Sequence, residues 1–596
     1  MSRPARPLVA LVLAVCVNLG VSGCVSLPVE GPVRSETVSD TGDGETLVDY
    51  TPAGPRAGST PVPLVDNFLT SMTATPLNTY VAREFLTSRS SRSWKPEKGT
   101  VSYSGLQVTK GHGRTVIVRL SDVLELDSRG AWLGDPTAGR GHDYRLRLVR
   151  ENGEWRIDAP PDRMLVPRAH FDVQYQQYLL YFFDRSAQGL VPEPVYLPRG
   201  RQASTLLVAD LLKGPQPYLR QVERTFVPSG TKLDGISVPV SRNGTAEVPL
   251  SDEVLDVSGK QRDRMFAQLA WTLGQIPGVE RLRVTVNDTP LDLPGSVEDV
   301  GLDEWSEFDP AVAYASTELF GIRDDRVLAL GSKSEERVSG PFGTLSLRLR
   351  SVAVDLLAQK IAAVTRDGRQ VLQGDRDGVP GRKATREDVE TVYSGTDVLR
   401  PAYDRYGLLW VVDRTARGAR LSVVRSGTAT RVAAPWLTGG QVRRFALSRD
   451  GTRLVTQVSR GGRDRLLVAR IERDTAGRVL RIGPPSRLSV AGSPERVLDL
   501  AWRDPSSLAV LVASSGASQV ATVDVTSVQV DGSSDTEQDT DAEPLREGAV
   551  RLVGSPARGT PLLLVTAKGQ MFSLSRNGRW MPSGIKPGLG APTYVG

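Results

Sequence analysis

The chain has 596 residues, with 74 Lys and Arg against 68 Asp and Glu, a formal net charge of +6 and a mean hydropathy of −0.22. That length implies several domains, and the 39% hydrophobic and 24% charged content is that of a globular chain rather than a disordered one. Two cysteines and three histidines nearly exclude disulfide scaffolds and Cys/His metal sites, and charge this scattered argues against a nucleic-acid partner.

Arg3 and Arg6 precede an apolar run from Leu8 to Val21 that ends in Val21-Ser22-Gly23-Cys24. The run is too short to span a bilayer comfortably and has the length of a signal-peptide core. An apolar residue, two small residues and a cysteine resemble a bacterial lipobox, so residues 1–23 are expected to be removed and Cys24 to be lipidated. The other reading is an uncleaved anchor with a chance cysteine. Cys16 would leave with the signal peptide and Cys24 would be capped, so no free thiol would remain outside the cell. Two acyl chains anchor a protein stably where one would be marginal. Residues 24–60 are rich in Pro, Gly, Ser, Thr and Asp without an apolar period and read as a flexible tether.

The first folded unit is expected over residues 61–166. Val65, Phe68, Leu69 and Met72 recur at helical spacing, and a second short helix is read over Thr79 to Leu86. Strands follow at Val101, at Arg114 to Leu120 and at Tyr144 to Arg150. The last turns at Glu151-Asn152-Gly153 and returns through Trp155. This pattern is similar to an NTF2-like α+β cone.

The second unit is read over residues 171–294, in the order β-α-β-β-α-β-β. Tyr175 to Phe183 is an aromatic strand, and Ser204 is placed to cap a helix ending at Gly214-Pro215. Strands are expected at Leu233 to Val240 and Gly244 to Leu250, then a helix at Asp263 to Gln275, then a hairpin around Asn287-Asp288. The phrases "ASTLLVADLLKGP", "FVPSGTKLDGISV", "GTAEVPLSDEV" and "AQLAWTLGQIPGVERLRVTVND" resemble the GerMN domain. That likeness implies binding or envelope assembly and carries over no catalytic residue.

Residues 308–594 repeat a strand, a polar turn and a strongly apolar strand. Aligned on Ile361, Leu409, Leu454, Leu508 and Leu562, the spacings are 48, 45, 54 and 54. This is the range of four-stranded propeller blades. Five repeats are clear. A sixth is expected to be split, with Gln570 to Met581 closing the ring against Val312 to Leu330, which gives about six blades. The other reading is an irregular sandwich array. The fold class is therefore multidomain: two small α+β domains followed by an all-β propeller.

Chemistry is sparse. There is no phosphate-binding Gly-rich loop and no nucleophile elbow. His112, His142 and His170 lie apart, and His112 and His142, set among glycines, read as surface loop residues. Asp531, Asp535, Glu537 and Asp539 could hold Ca²⁺ weakly, but they lack EF-hand spacing, and the segment reads better as a solvated insertion. Trp410, Trp436 and Trp502 read equally well as blade core. No cofactor, metal site or catalytic residue is expected.

The whole mature chain resembles the actinobacterial LpqB lipoprotein family. The likeness rests on "CVSLPVEGPV", "FLTSMTATPLNTYVAREFLT", Trp94 and the order of units. The resemblance implies a non-enzymatic lipoprotein on the extracytoplasmic face of the cell membrane, held by lipid on Cys24. It further implies contact with the extracytoplasmic part of an MtrB-like sensor histidine kinase in a two-component system, with effects on envelope and division. The alternative is an envelope glycan- or peptidoglycan-binding module, and a wall hydrolase is a third reading.

Overall fold

The computed structural model describes residues 49–134, 142–292, 297–331, 334–490, 496–514, 522–533 and 548–596. Cys24, the lipobox and most of the expected tether lie outside the described residues. Residues 49–60, also read as tether, instead pack on the first unit. Tyr50 and Thr75 exchange backbone hydrogen bonds of 2.8 and 2.9 Å, and Gly58 N donates to Glu154. From Asp49 onward the chain is one compact body.

The helix Pro61–Thr70 has proline in its first turn and buries Leu64, Val65, Phe68 and Leu69 along one stripe. That stripe packs against two sheets, a mixed one of three strands built around Thr100–Tyr103 and an antiparallel one of four built around Thr115–Ser121 and His142–Glu151. The hairpin from His142–Glu151 to Glu154–Ile157 turns where expected. Asn152 and Gly153 both take positive φ, 53° and 84°, which suits a two-residue turn.

The second unit places the helices Ala203–Leu212 and Gly259–Leu273 on one core with two small sheets. Three local expectations are corrected. Ser204 lies inside its helix rather than at the cap, and its hydroxyl donates to Val238 O at 2.8 Å. Leu233 to Val240 forms only two isolated bridges, at Leu233 and Val240, because Gly235 and Pro239 interrupt the run. A nine-residue strand, Leu190–Pro198, adds to the expected order. It pairs in unbroken register with Tyr175–Asp184, although Pro192 and Pro194 lie within it. The sheet order puts it at an edge, where the missing proline N–H groups break no ladder.

The remainder is a ring of six blades. Blade 2 spans residues 349–394, blade 3 spans 402–432, blade 4 spans 441–488, blade 5 spans 497–529 and blade 6 spans 549–582. Blade 1 joins Leu319–Arg323, Arg326–Leu330 and Glu335–Arg337 to Gly590–Thr593 from the far end of the domain. The closing strand is therefore residues 590–593. The segment expected to close the ring supplies instead the third and fourth strands of blade 6. Six apolar clusters lie one between each neighbouring pair of blades, the last joining Val553, Leu563 and Val565 of blade 6 to Leu319 of blade 1. Burial between blades, rather than within any one of them, closes the circle.

Candidate functional site

The most strongly built polar region is the seam where the second unit meets one face of the propeller. Two elements make it: the edge strand Leu190–Pro198, and the loops that follow the inner strands of blades 3 and 4. Arg453 begins the second strand of blade 4, and its side chain is fully buried. It donates to Glu193 Oε1 at 2.6 Å, to Pro192 O at 2.6 Å and to Asp450 Oδ2 at 3.0 Å. Arg470 grips both oxygens of Glu193 at 2.7 Å and lies 3.5 Å from Glu223. A two-pronged guanidinium–carboxylate clamp fixes orientation as well as charge. Beside it, Tyr406 donates to Asp184 at 2.9 Å and Arg405 to Gln188 O at 3.0 Å. Asp404, under Tyr406, takes Arg473 at 2.6 Å and the Trp410 indole at 2.8 Å.

The two glutamates differ in charge. Burial alone would raise the Glu193 carboxyl, but Arg470 and Arg453 outweigh it and bring it down to about 2. Glu223 is pushed well above the ordinary carboxylate range by burial and then by the neighbouring Glu193 charge. One proton thus stays on Glu223, which serves as donor to Glu193, and like charges in the buried cluster are avoided.

The first unit joins the same body. Tyr196 N donates to Gly130 O at 2.7 Å, and the Tyr196 hydroxyl meets Ser533 Oγ of the propeller at 2.5 Å. Gln216 reaches Asp127 at 2.9 Å, and Arg129 donates to the carbonyls of Lys213 and Gly214. A cavity of about 370 Å³ lies at this three-way junction, walled by Trp132, Tyr218, Glu193 and Arg470.

The structure does not gather the singled-out residues into a catalytic group. His112 is exposed. His142 pairs with Glu125. His170 stands apart, its pKa lowered by burial. Trp410 and Trp502 are core, and Trp436 packs partly buried between blades 3 and 4. Asp531 accepts from Ser533 at 2.9 and 2.7 Å, and Asp535, Glu537 and Asp539 lie outside the described residues. Among the described residues no three His, Cys, Asp or Glu side chains are grouped as a metal centre would need. The seam residues themselves were not legible in advance, because Glu193, Arg453 and Arg470 meet only after two units dock. The Pro-flanked Glu193 was the sole local signal.

Two small α+β units fused to a six-bladed propeller define the class: a multidomain scaffold whose built surfaces join its own parts. Residues 54–172 match the family described as "Lipoprotein LpqB, N-terminal domain" and residues 325–594 the "Lipoprotein LpqB beta-propeller domain". Residues 179–292 match the Germane family, "Sporulation and spore germination". A Lipoprotein LpqB of Thermobifida fusca is 28% identical, covering 98% of this chain and 99% of the relative. One from Streptomyces avermitilis is 27% identical over 98% and 97%, and one from Mycobacterium bovis is 26% identical over 83% and 85%. The chain belongs to the LpqB lipoprotein family.

Proposed function

We propose that the chain is a non-enzymatic accessory of the cell envelope, lipidated at Cys24 and held on the extracytoplasmic face of the membrane, where it modulates a sensor histidine kinase by protein contact. The observation that carries the anchoring is the lipobox Val21-Ser22-Gly23-Cys24 in a chain of a lipoprotein family. Kinase contact is the family expectation. It is supported by a body whose broad faces suit protein contact and by anchoring that would raise its concentration beside a membrane receptor. The 25 residues from Cys24 to Val48 span at most about 85 Å when fully extended, which bounds how far from the bilayer the body can act.

The test is cross-linking of the lipidated protein in native membranes, followed by identification of what is captured. Recovery of a histidine kinase, lost when residues 49–596 are removed, supports the reading. Recovery of wall polymer without a kinase overturns it and favours glycan binding.

A further inference from the structure

The strands of each blade run antiparallel in sequence order from the channel outward, so the turn between the second and third strands lies at the end where the inner strand begins. Turns between the first and second strands lie at the opposite end. There Arg405 and Tyr406 of blade 3 meet the second unit. The second-to-third turns therefore share the end of the propeller that faces away from the second unit.

In four consecutive blades this turn carries two arginines three residues apart. Blade 1 has Arg323-Asp-Asp-Arg326, blade 2 Arg366-Asp-Gly-Arg369, blade 3 Arg414-Thr-Ala-Arg417 and blade 4 Arg460-Gly-Gly-Arg463. Blade 6 has Lys568 at the same turn, and the turn of blade 5 lies outside the described residues. In the strand ladders Arg323 stands directly opposite Arg326, and Arg460 opposite Arg463. Like charges so placed destabilise a hairpin, so the fold itself gives no reason for the repetition. Carboxylates answer three of these arginines: Arg323 pairs with Glu335, Arg366 with Asp325 and Arg414 with Asp397. The side chains of Arg369, Arg417 and Arg463 are exposed and have no hydrogen-bond or ion-pair partner among the described residues.

Between blades 3 and 4 this end is concave. A groove of about 580 Å³ is walled by Arg414 to Gly418 on one side and by Gly439 to Gln441 on the other, and both Arg414 and the exposed Arg417 line it. Arg460 closes the glycine side. It donates to the carbonyls of Trp436 and Thr438 at 2.9 and 3.0 Å, and an added Cβ at Gly440 would overlap its side chain. The carboxylate lining the groove, Asp397, is already shared by Arg350 and Arg414. Neither the blade 3 turn nor the blade 4 turn contains an acid.

We propose that this end of the propeller docks on an anionic phospholipid bilayer, with one phosphodiester headgroup seated in the groove between blades 3 and 4. Guanidinium groups suit phosphate oxygens in charge and in donor geometry. The charges stand on turns of neighbouring blades rather than around one point, which matches an extended anionic surface that attracts each of them. The proposal rests on the anchoring proposed above, which brings the bilayer within reach. The stretch from Cys24 to Val48 spans at most about 85 Å, and an eight-residue blade strand rises only about 27 Å. Docked this way, the second unit points away from the membrane. Kinase contact is a separate matter, and either reading survives the loss of the other.

The test is co-sedimentation of residues 24–596 carrying Cys24→Ser, the mature chain without acyl groups, with vesicles of phosphatidylcholine alone or mixed equally with phosphatidylglycerol. Because the anchor is absent, the outcome is distinguishable from failure of the lipidation reading. Expected is binding to the anionic vesicles alone, falling as salt is raised. Arg417→Gln and Arg463→Gln are each expected to weaken it about fivefold, and together about 25-fold, with the melting temperature unchanged. Arg576→Gln removes a likewise exposed charge from the third-to-fourth turn of blade 6, at the opposite end, and is expected to leave binding unchanged. Absence of vesicle binding overturns the proposal, as does equal binding to both vesicle types. Equal weakening by Arg576→Gln also overturns it, since that would mark a diffuse charge effect. Binding of a soluble anionic wall polymer through Arg417, without binding to vesicles, overturns it and assigns the groove to the wall.

Discussion

Arg453 concentrates the risk in the seam: its side chain is fully enclosed, and both of its carboxylate partners are themselves nearly buried. Replacing Glu193 by Ala would leave two guanidinium groups facing an emptied site. The expected loss is about 3–5 kcal/mol, measured by denaturant unfolding. The pH dependence has two arms of opposite sign. Glu193, held low, contributes stability above its ordinary 4.5 that is lost as pH falls toward about 2. Glu223, held high, contributes stability below 4.5 that is lost as pH rises through its elevated value. The seam is therefore strongest where Glu193 is ionised and Glu223 still protonated. In melting curves taken across pH, Glu223→Gln is expected to abolish the loss on the alkaline side and keep the loss in acid. A third residue-scale expectation concerns Gly130, whose φ is 75° and where an added Cβ would overlap the Tyr196 carbonyl. Gly130→Ala is expected to lower the melting temperature by several degrees, through backbone strain and through displacement of the hydrogen bond to Tyr196.

Among the elements, the closing strand Gly590–Thr593 has the greatest leverage for its size. Four residues convert an open fan of blades into a ring and complete the cluster containing Leu589 and Tyr594. Deleting residues 590–596 is expected to expose the blade 1 edge and the blade 6 core, seen as strong binding of a hydrophobic dye and as aggregation. This strand also marks the limit of reading by pattern. The second strand of each repeat was legible because it is apolar on both faces: Ile361, Leu409, Leu454 and Leu508 are each fully buried at the first or second position of theirs. Gly590-Ala-Pro-Thr593 carries no such run and is a strand only because Leu319–Arg323 offers it an edge. Leu190–Pro198 is hidden from pattern for a related reason, since its prolines argue against a strand until its edge position is known.

At the scale of the whole molecule, the proposed anchor and the body are joined by a short stretch of chain. Cys24→Ser is expected to abolish incorporation of labelled fatty acid and to release the protein from washed membranes, with no effect on the melting temperature of the body. The body itself does not divide where its families do. The family boundary falls between residues 172 and 179, yet Phe171, Tyr175 and Tyr196 all lie in the core of the first unit. Tyr196 at the same time extends a strand of the second unit and touches Ser533 of the third. The segments that match separate families therefore share side chains that none of them can give up alone. Heating should melt residues 49–596 in one calorimetric transition rather than three, so the unit of thermal cooperativity is the stack, and an isolated GerMN-like fragment should lose the ordered ends of its longest strands.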